Sequence, residues 1–496
     1  MTNPSAGYRR TAVLGAATTG LSQGVKIVLQ MLSAVILARL LVPADFGLVA
    51  MVGPIVAFVA LFQDIGLQQA IIHMRQATAE QISRLFWVNM LMAVGVAVTV
   101  IIIAPFVAWF YGEPRVLMLT VAWALPILIS CGARQHLTLL NRDLKFHHLA
   151  MIDVLASVVS LAGGVFVAWW THSYWALWVA MLLSAIATFI ASWIATGWRP
   201  MSPFVKADIS PFVKFGINFA GFNILNYFAR NADNVIIAKA FGPMPLGLYD
   251  RSYKLLLAPL SNINAPVSRV MQPILARLRD EPERYRLAYI RAASMVTWIC
   301  VPGIAALTVT AHSFIHIMFG ERWMAAAPIF AWLGVAGLNQ PLSNTTGWLF
   351  LSQHRTREMF HWGLVGSSTT ILSFIVGIPW GVTGIAASYA LSSTFLRAPL
   401  LIWWVGRKGP VKWTDLALML FPALAAGGLT FFFAHWVKTH MLLSPVADVF
   451  LALVFAYCCA LLLILLVPAT RRWLFSSLLI FLPPRFNPIG KKEPLA

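Results

Sequence analysis

Apolar residues in this chain form long runs, and each run ends at charged residues or at a Pro/Gly turn. A bilayer core of about 30 Å needs roughly 20 apolar residues per helix, so runs of this length predict membrane-spanning helices. With short loops between them, the chain has room for about fourteen crossings. The predicted helices lie near residues 14–41, 46–72, 84–110, 116–140, 149–170, 174–197, 210–241, 246–273, 289–317, 325–352, 360–380, 383–405, 415–437 and 443–468.

Composition supports the same interpretation. Hydrophobic residues make up 59% of the chain and charged residues 11%, whereas a soluble domain has roughly 45–50% apolar and about 25% charged residues. A water-soluble surface cannot be built from this composition. The sequence therefore predicts an all-α integral membrane protein with no separate soluble domain.

The net charge of +19 is spread over the gaps between apolar runs. Proteins that bind nucleic acid concentrate Lys and Arg on one soluble face, so no nucleic-acid partner is expected. Alternate gaps are rich in basic residues, such as Arg142 with Lys145 and Arg407 with Lys408, while the gaps between them are nearly uncharged. Because Lys and Arg accumulate in short cytoplasmic loops, this alternation predicts cytoplasmic N- and C-termini and an even number of helices.

Residues for covalent chemistry are scarce. The four cysteines, Cys131, Cys300, Cys458 and Cys459, lie in or at the ends of apolar segments, where cysteine behaves as a small hydrophobe. The chain shows no Gly-rich phosphate loop, no His/Cys cluster with metal spacing and no nucleophile elbow. We expect neither enzymatic activity nor a metal or other cofactor.

An internal repeat appears at an offset of 200 residues. Residues 36–50 read ILARLLVPADFGLVA and residues 236–250 read IIAKAFGPMPLGLYD, with Ile, Ala, Pro, Gly and Leu at equivalent positions. Six helices per copy is an even number, so both copies share one orientation in the membrane. We predict an N-terminal lobe of helices 1–6 over residues 1–205 and a C-terminal lobe of helices 7–12 over 206–410. Helices 13 and 14 fill 411–470, and a cytoplasmic tail covers 471–496.

The offset also aligns two polar faces. Gln23, Lys26, Gln30 and Ser33 are spaced 3, 4 and 3 residues apart, which places them on one side of the first helix. Adding 200 gives Asn223, Asn226, Arg230 and Asp233 in the seventh helix. Two polar faces in related helices predict a transport pathway between the lobes.

Ionisable groups inside a bilayer are costly and mark functional sites by default. The predicted pathway is mostly cationic, and the planar donor fork of Arg suits a pyrophosphate. The alternative is that Arg230 with Asp233 and Asp250 with Lys254 are neutralised pairs that hold helices together. The candidate substrate-binding residues are Lys26, Gln30, Asn226, Arg230, Asp233, Arg251 and Lys254.

Three carboxylates are candidates for coupling to an ion gradient: Asp64, Asp233 and Asp250. Asp64 would titrate with a coupled proton or pair with Lys26. An equally good interpretation makes Asp64 a helix-end carboxylate among the amides of the segment FQDIGLQQA.

Several segments resemble the polysaccharide-transporter branch of the multidrug/oligosaccharidyl-lipid/polysaccharide (MOP) exporter superfamily. They are ILARLLVPADFGLVAM, GLQQAIIH, LLNRDLKF, NADNVIIAKAFGPMPLGLYDRSYKLL and FGERWMAAAPIF, and the likeness covers essentially the whole chain. The resemblance implies a bacterial inner-membrane flippase that moves undecaprenyl-pyrophosphate-linked oligosaccharides from the cytoplasmic to the periplasmic leaflet. It implies roles in exopolysaccharide, capsule or lipopolysaccharide assembly, with membrane lipids, a polysaccharide polymerase and a chain-length regulator as candidate partners.

The resemblance also implies two six-helix lobes around a cavity lined by helices 1, 2, 7 and 8. In a related flippase the last two helices form a groove for the lipid tail, so helices 13 and 14 are expected to do the same.

Two other functions fit the sequence less well. A multidrug or metabolite antiporter driven by H⁺ or Na⁺ belongs to the same superfamily, but cationic drugs favour an anionic cavity. A membrane glycosyltransferase or polymerase using the same lipid carrier could employ Asp45. Such enzymes usually carry a long extracytoplasmic loop, and every odd-numbered gap here is short.

Overall fold

The computed structural model describes residues 4–61, 78–203, 208–209, 231–441 and 443–481. Ten helices in this part of the chain are long and apolar enough to cross a membrane. Large apolar side chains lie exposed on them, as lipid-facing surfaces require; Ile102, Phe432 and Leu466 are each more than 70% exposed. The protein is an all-helical, multi-pass membrane protein, as the apolar runs predict. The chain divides into two compact units, Met1–Gly247 and Leu248–Ala496.

The first unit contains seven helices with defined ends and one shorter described segment. They are α1 Pro4–Leu40, α2 Pro43–Leu61, α3 Ala79–Tyr111, α4 Arg115–Ala122, α5 Ala124–Arg142, α6 Phe146–Thr171, α7 Trp175–Thr196 and α8 at 231–241. Helix α9, Pro243–Arg277, begins in this unit and continues into the second.

Small residues bring α6 and α7 close together. A Cβ atom on Gly164 would lie 2.8 Å from the Cβ atom of Ala180, and one on Gly163 would lie 2.0 Å from a methyl carbon of Leu183. Close approach at small residues is the usual way for helices to gain packing energy in a bilayer, where lipid is as apolar as protein. Helix α1 also packs against α6.

Prolines interrupt two of the helices that the apolar runs predict. Pro126 has no N–H to donate to the carbonyl group of Ala122, and α4 ends at Ala122. Pro341 stands in the same relation to Gly337, where the first half of the predicted helix 325–352 ends. The predicted helices 116–140 and 325–352 are therefore each interrupted near a proline.

The described part of the second unit contains ten further helices. They are α10 Pro282–Val309, α11 Ala311–Phe319, α12 Ala326–Gly337, α13 Gln340–Ser352, α14 Thr356–Gly377, α15 Gly381–Leu391, α16 Ala398–Gly406, α17 Trp413–His440, α18 Pro445–Leu466 and α19 Pro468–Phe481. A π-helical segment, Ser392–Arg397, joins α15 to α16.

Helix α10 holds α17 and α18 to the second unit. The indole N–H of Trp298 donates to the carbonyl oxygen of Met419 at 3.1 Å, and the hydroxyl of Tyr457 donates to that of Ile299 at 2.7 Å. The predicted C-terminal helix pair, α17 and α18, is thus packed against α10 within the second unit. The lobe boundaries at residues 205 and 410 stay predictions.

Candidate transport pathway

The two copies of the sequence repeat fold in the same way where they are described. Helix α2 begins at Pro43 and α9 begins at Pro243, so equivalent helices start 200 residues apart. Each follows a tight turn after the preceding helix, which ends at Leu40 in the first copy and at residue 241 in the second. The repeat inferred from residue identities is therefore also a repeat of helix starts.

The polar face predicted for α1 is accessible within its unit. Gln23 and Gln30 are exposed, and Lys26 and Ser33 are half-buried. Residues Leu37 and Ala38, further along the same helix, are buried against their neighbours. The part of α1 from Gln23 to Ser33 thus has polar groups that a ligand can reach, whereas the C-terminal end of the helix is fixed by packing.

Lys26 forms an ion pair with a residue that the sequence reasoning missed. Its Nζ atom lies 3.1 Å from Oδ2 of Asp153 on α6, and the two side chains are 29% and 56% exposed. Asp153 is the one charged residue within the apolar run 149–170. The rule that selects Lys26, that a charge inside an apolar helix marks function, also selects Asp153.

Near the start of α9, three charged residues meet in the second unit. Asp250 is 4% exposed, and its Oδ1 atom lies 2.8 Å from Nζ of Lys254. The guanidinium Nε of Arg251 lies 3.6 Å from Oδ2 of the same carboxylate. Asp250 and Lys254 are one helical turn apart, so the sequence prediction of an i,i+4 pair is confirmed.

This cluster carries two cations and one carboxylate, and its cations differ in exposure. The side chain of Lys254 is 60% exposed and that of Arg251 is 19% exposed. An anionic ligand that approaches Lys254 would find a positive charge already held in place by Asp250. The arrangement is suited to binding an anion by charge and hydrogen bonds, and it places no nucleophile beside an acid–base pair.

Asp233 lies on α8 in the first unit and is buried at 6% exposure. Its Oδ1 atom accepts a hydrogen bond from the backbone N–H of Asn234 at 2.8 Å. Four of the predicted pathway residues, Asp64, Asn223, Asn226 and Arg230, lie outside the described residues. No group of three or more His, Cys, Asp or Glu side chains positioned to hold a metal ion occurs in the part of the chain that the structure describes.

Comparison with known proteins decides the family. A family model described as polysaccharide biosynthesis protein matches residues 36–328, which is more than half of the chain. The chain belongs to this polysaccharide biosynthesis family. The match includes both copies of the Pro/Gly turn and the Asp250–Lys254 pair.

Two curated relatives are bacterial proteins whose names refer to polysaccharide biosynthesis. The chain is 24% identical to the lipopolysaccharide biosynthesis protein WzxC of Escherichia coli (strain K12), over 74% of this chain and 75% of the relative. It is 23% identical to the succinoglycan biosynthesis transport protein ExoT of Rhizobium meliloti (strain 1021), over 74% of this chain and 72% of the relative.

A solved structure of the Lipid II flippase MurJ in an inward closed conformation has the same fold. The TM-score is 0.71 at 12% sequence identity, and the match covers 94% of this chain and 100% of the other. This family member therefore has the fold of the MOP exporters, and the prediction of its fold class is confirmed. At this identity the likeness concerns the fold alone and assigns no role to Lys26, Arg251 or Lys254.

Proposed function

We propose that this protein is a flippase for undecaprenyl-pyrophosphate-linked oligosaccharide repeat units. It moves them from the cytoplasmic to the periplasmic leaflet of a bacterial inner membrane, for exopolysaccharide, capsule or lipopolysaccharide biosynthesis. Transport proceeds by alternating access, and both termini lie in the cytoplasm.

The cationic cluster of α9 carries the proposal. Arg251 and Lys254 flank a single buried carboxylate on a helix of a multi-pass membrane protein. The sequence predicts α9 as a membrane helix near 246–273, although it is not among the ten apolar spans of the described chain. An ionised side chain within a membrane segment costs at least about 2.5–3.5 kcal/mol, so it is retained where it serves a ligand or a partner. An excess of positive charge favours an anionic cargo.

Pyrophosphate is the anion that suits such a cluster. The guanidinium of Arg presents several N–H donors in one plane and stays charged at every physiological pH. Lys adds a compact charge on a flexible stem that can follow a moving head group. Pyrophosphate is more highly charged than a carboxylate, so it would compete effectively with Asp250 for both cations.

The relatives support transport over catalysis. One curated relative is named as a transport protein of polysaccharide biosynthesis, and the structure with the same fold is named as a flippase for a lipid-linked precursor. A lipid-linked sugar combines an anionic head with a hydrocarbon tail, which agrees with a cationic cluster in a lipid-facing helical protein.

A deletion strain tests the proposal. Without the protein, lipid-linked repeat units should accumulate on the cytoplasmic side and surface polysaccharide should be lost. Plasmid-borne wild type should restore export, whereas Arg251→Gln should restore it at least tenfold less well, equivalent to about 1.4 kcal/mol of lost head-group binding. Normal export in a deletion strain without a paralogue would overturn the proposal, as would loss of drug resistance with export intact.

Asp64, Asp233 and Asp250 remain the proposed sites of ion coupling. Of the two that are described, Asp250 is engaged by Lys254, while Asp233 accepts a backbone hydrogen bond. Reconstituted flipping of a defined lipid-linked sugar, measured with and without a pH or Na⁺ gradient, tests whether any of them has this role.

A further inference from the structure

A large apolar groove runs along α1, α6 and α7 in the first unit. Its volume is about 1250 Å³, and its lining includes Val25 of α1, Leu155 and Val158 of α6, and Ala187 and Ile194 of α7. Pockets for drug-sized ligands span about 300–1,000 Å³, so this groove accommodates a longer molecule. Its lining is almost entirely aliphatic, which suits a hydrocarbon chain.

Polar residues in the lining gather at one end of the groove. Ser22, His147 and His148 line this end, and His147 and His148 follow the basic segment that contains Arg142 and Lys145. That segment is one of the gaps that the alternation of charge assigns to the cytoplasm. The groove therefore opens toward the leaflet from which the proposed substrate is loaded.

The ion pair of Lys26 and Asp153 lies on the border of the groove. Val25 lines the groove, and Lys26 is the next residue of α1. Ile152 and Val154 also line it, and they flank Asp153 on α6. A charged contact of 3.1 Å thus separates the aliphatic groove from the polar face of α1.

In this ion pair, Lys26 is suited to exchange Asp153 for another anion. Both side chains are partly exposed within the first unit, so a ligand can reach them. Hydrogen bonds from an ammonium to a phosphate are charge-assisted and stronger than neutral ones. A phosphate at this point offers Lys26 a second charge-assisted partner in place of Asp153.

We propose that the groove holds the polyprenyl chain of the lipid carrier while Lys26 takes a phosphate of its head group from Asp153. This inference rests on the proposed function, because the carrier is the lipid whose cargo the protein exports. The occupant has a chain longer than a drug-sized ligand, an anionic head at the end where cations gather, and access from the cytoplasmic leaflet.

The hydrophobic effect does not select this occupant, because bilayer lipid is as apolar as the groove. Selection depends on the fit of the chain to the aliphatic wall and on the charge at its border. Filling the groove should therefore weaken binding moderately, by about three- to tenfold, a range that corresponds to roughly 0.7–1.4 kcal/mol.

Binding of undecaprenyl phosphate to the full-length protein in phospholipid nanodiscs tests the inference. Val158→Trp and Ala187→Trp fill the groove and should weaken binding about three- to tenfold. Val98→Trp is the matched control, since Val98 is 48% exposed on α3 and is not part of the lining. Each variant is first shown to unfold at the wild-type temperature. Of the two groove variants, Val158→Trp is the milder, because the Val158 side chain is already 44% exposed.

The border is tested with the same probe. Lys26→Met should weaken binding of undecaprenyl phosphate about threefold or more, and it should not change binding of the uncharged polyprenol. Asp153→Asn removes the competing carboxylate and should tighten binding of the phosphate.

Three outcomes would overturn the inference. The first is that Val98→Trp and both groove variants bind undecaprenyl phosphate equally well. The second is that phosphatidylglycerol displaces undecaprenyl phosphate as effectively as undecaprenyl phosphate itself does. The third is that Lys26→Met changes binding of the uncharged polyprenol. None of these bears on whether a deletion strain loses export. The groove can thus fail while the proposed function stands, and normal export after deletion would refute the function independently of the groove.

Discussion

Gly47 and Gly247 face each other across the two copies of the repeat. A Cβ atom on Gly47 would lie 1.7 Å from the carbonyl oxygen of Pro243, and a Cβ atom on Gly247 would lie 1.8 Å from that of Pro43. The same atom on Gly247 would lie 3.0 Å from the backbone nitrogen of Gly47. The backbone of each copy therefore leaves no room for a side chain at the glycine of the other copy, and the contact is reciprocal.

We predict that Gly47→Ala and Gly247→Ala each destabilise the protein by about 1–3 kcal/mol or more, because a backbone carbonyl cannot yield as a side chain can. Thermal unfolding of purified protein, together with its yield in the membrane, measures this. Gly53→Ala is the control on α2, since a Cβ atom there meets nothing within 4 Å. It should leave stability unchanged or raise it, because Ala favours a helix over Gly by about 1 kcal/mol.

The repeat could be predicted because a turn between helices needs the same residue types in both copies. Pro begins each second helix without needing an N–H partner, and Gly allows the close approach that the structure shows. Each requirement depends on the turn itself or on the matching turn of the other copy. Identical residues therefore appear 200 residues apart in the sequence. Hydrophobicity similarly predicts the membrane helices, because the bilayer acts on every residue of a span.

The partner of Lys26 could not be predicted in the same way. Asp153 is far along the sequence, and its position opposite Lys26 depends on the packing of α6 against α1. The partner that the sequence suggests, Asp64 of the second helix, lies outside the described residues. By contrast, the breaks after Ala122 and Gly337 follow from the local chemistry of Pro126 and Pro341, so they were predictable.

We predict that Lys254→Met folds normally and lowers polysaccharide export. Its side chain is 60% exposed, and Arg251, 3.6 Å from the same carboxylate, still balances the charge of Asp250, so the variant should fold. If Lys254 holds pyrophosphate, export should fall at least tenfold, which corresponds to about 1.4 kcal/mol.

Lys408 provides the control for this prediction. Its side chain is 63% exposed and pairs at 3.4 Å with Glu358, a carboxylate that is 21% exposed and also pairs with Arg355. Lys408→Met should therefore have a similar effect on stability and none on export. Equal export by the two variants would show that Lys254 is an ordinary surface partner of Asp250.

A bidentate contact fixes the start of α17 to α10. Nε of Arg286 donates to Oδ2 of Asp415 at 2.8 Å, and Nη2 donates to Oδ1 at 2.5 Å. Asp415 is buried and also accepts from the backbone N–H of Lys412. We expect Arg286→Gln to destabilise the protein by about 1.5–3 kcal/mol, the range for hydrogen bonds to charged groups.

Thermal unfolding measures that loss, with Arg284→Gln as the comparison. Arg284 pairs with Glu281 at 2.7 Å, but both side chains are about half exposed, so its loss should cost about 0–1 kcal/mol. Arg286→Lys keeps the charge and loses the planar fork, so it should fall between the two. An effect of Arg286→Gln no larger than that of Arg284→Gln would show that the contact does not hold the C-terminal helices in place.

The predicted orientation in the membrane can be read from two exposed positions. Thr171 ends α6 in a nearly uncharged gap, which should face the periplasm, and Asp280 lies in the basic segment between α9 and α10, which should face the cytoplasm. Single-cysteine variants are made in a background in which Cys458 and Cys459 are replaced by Ala, because Cys458 is exposed. An impermeant maleimide added to spheroplasts should label Thr171→Cys and leave Asp280→Cys unlabelled until the membrane is permeabilised. Labelling in the opposite order would show that the topology is the reverse of the predicted one. The mouth of the α1/α6/α7 groove would then lie in the leaflet to which the cargo is delivered.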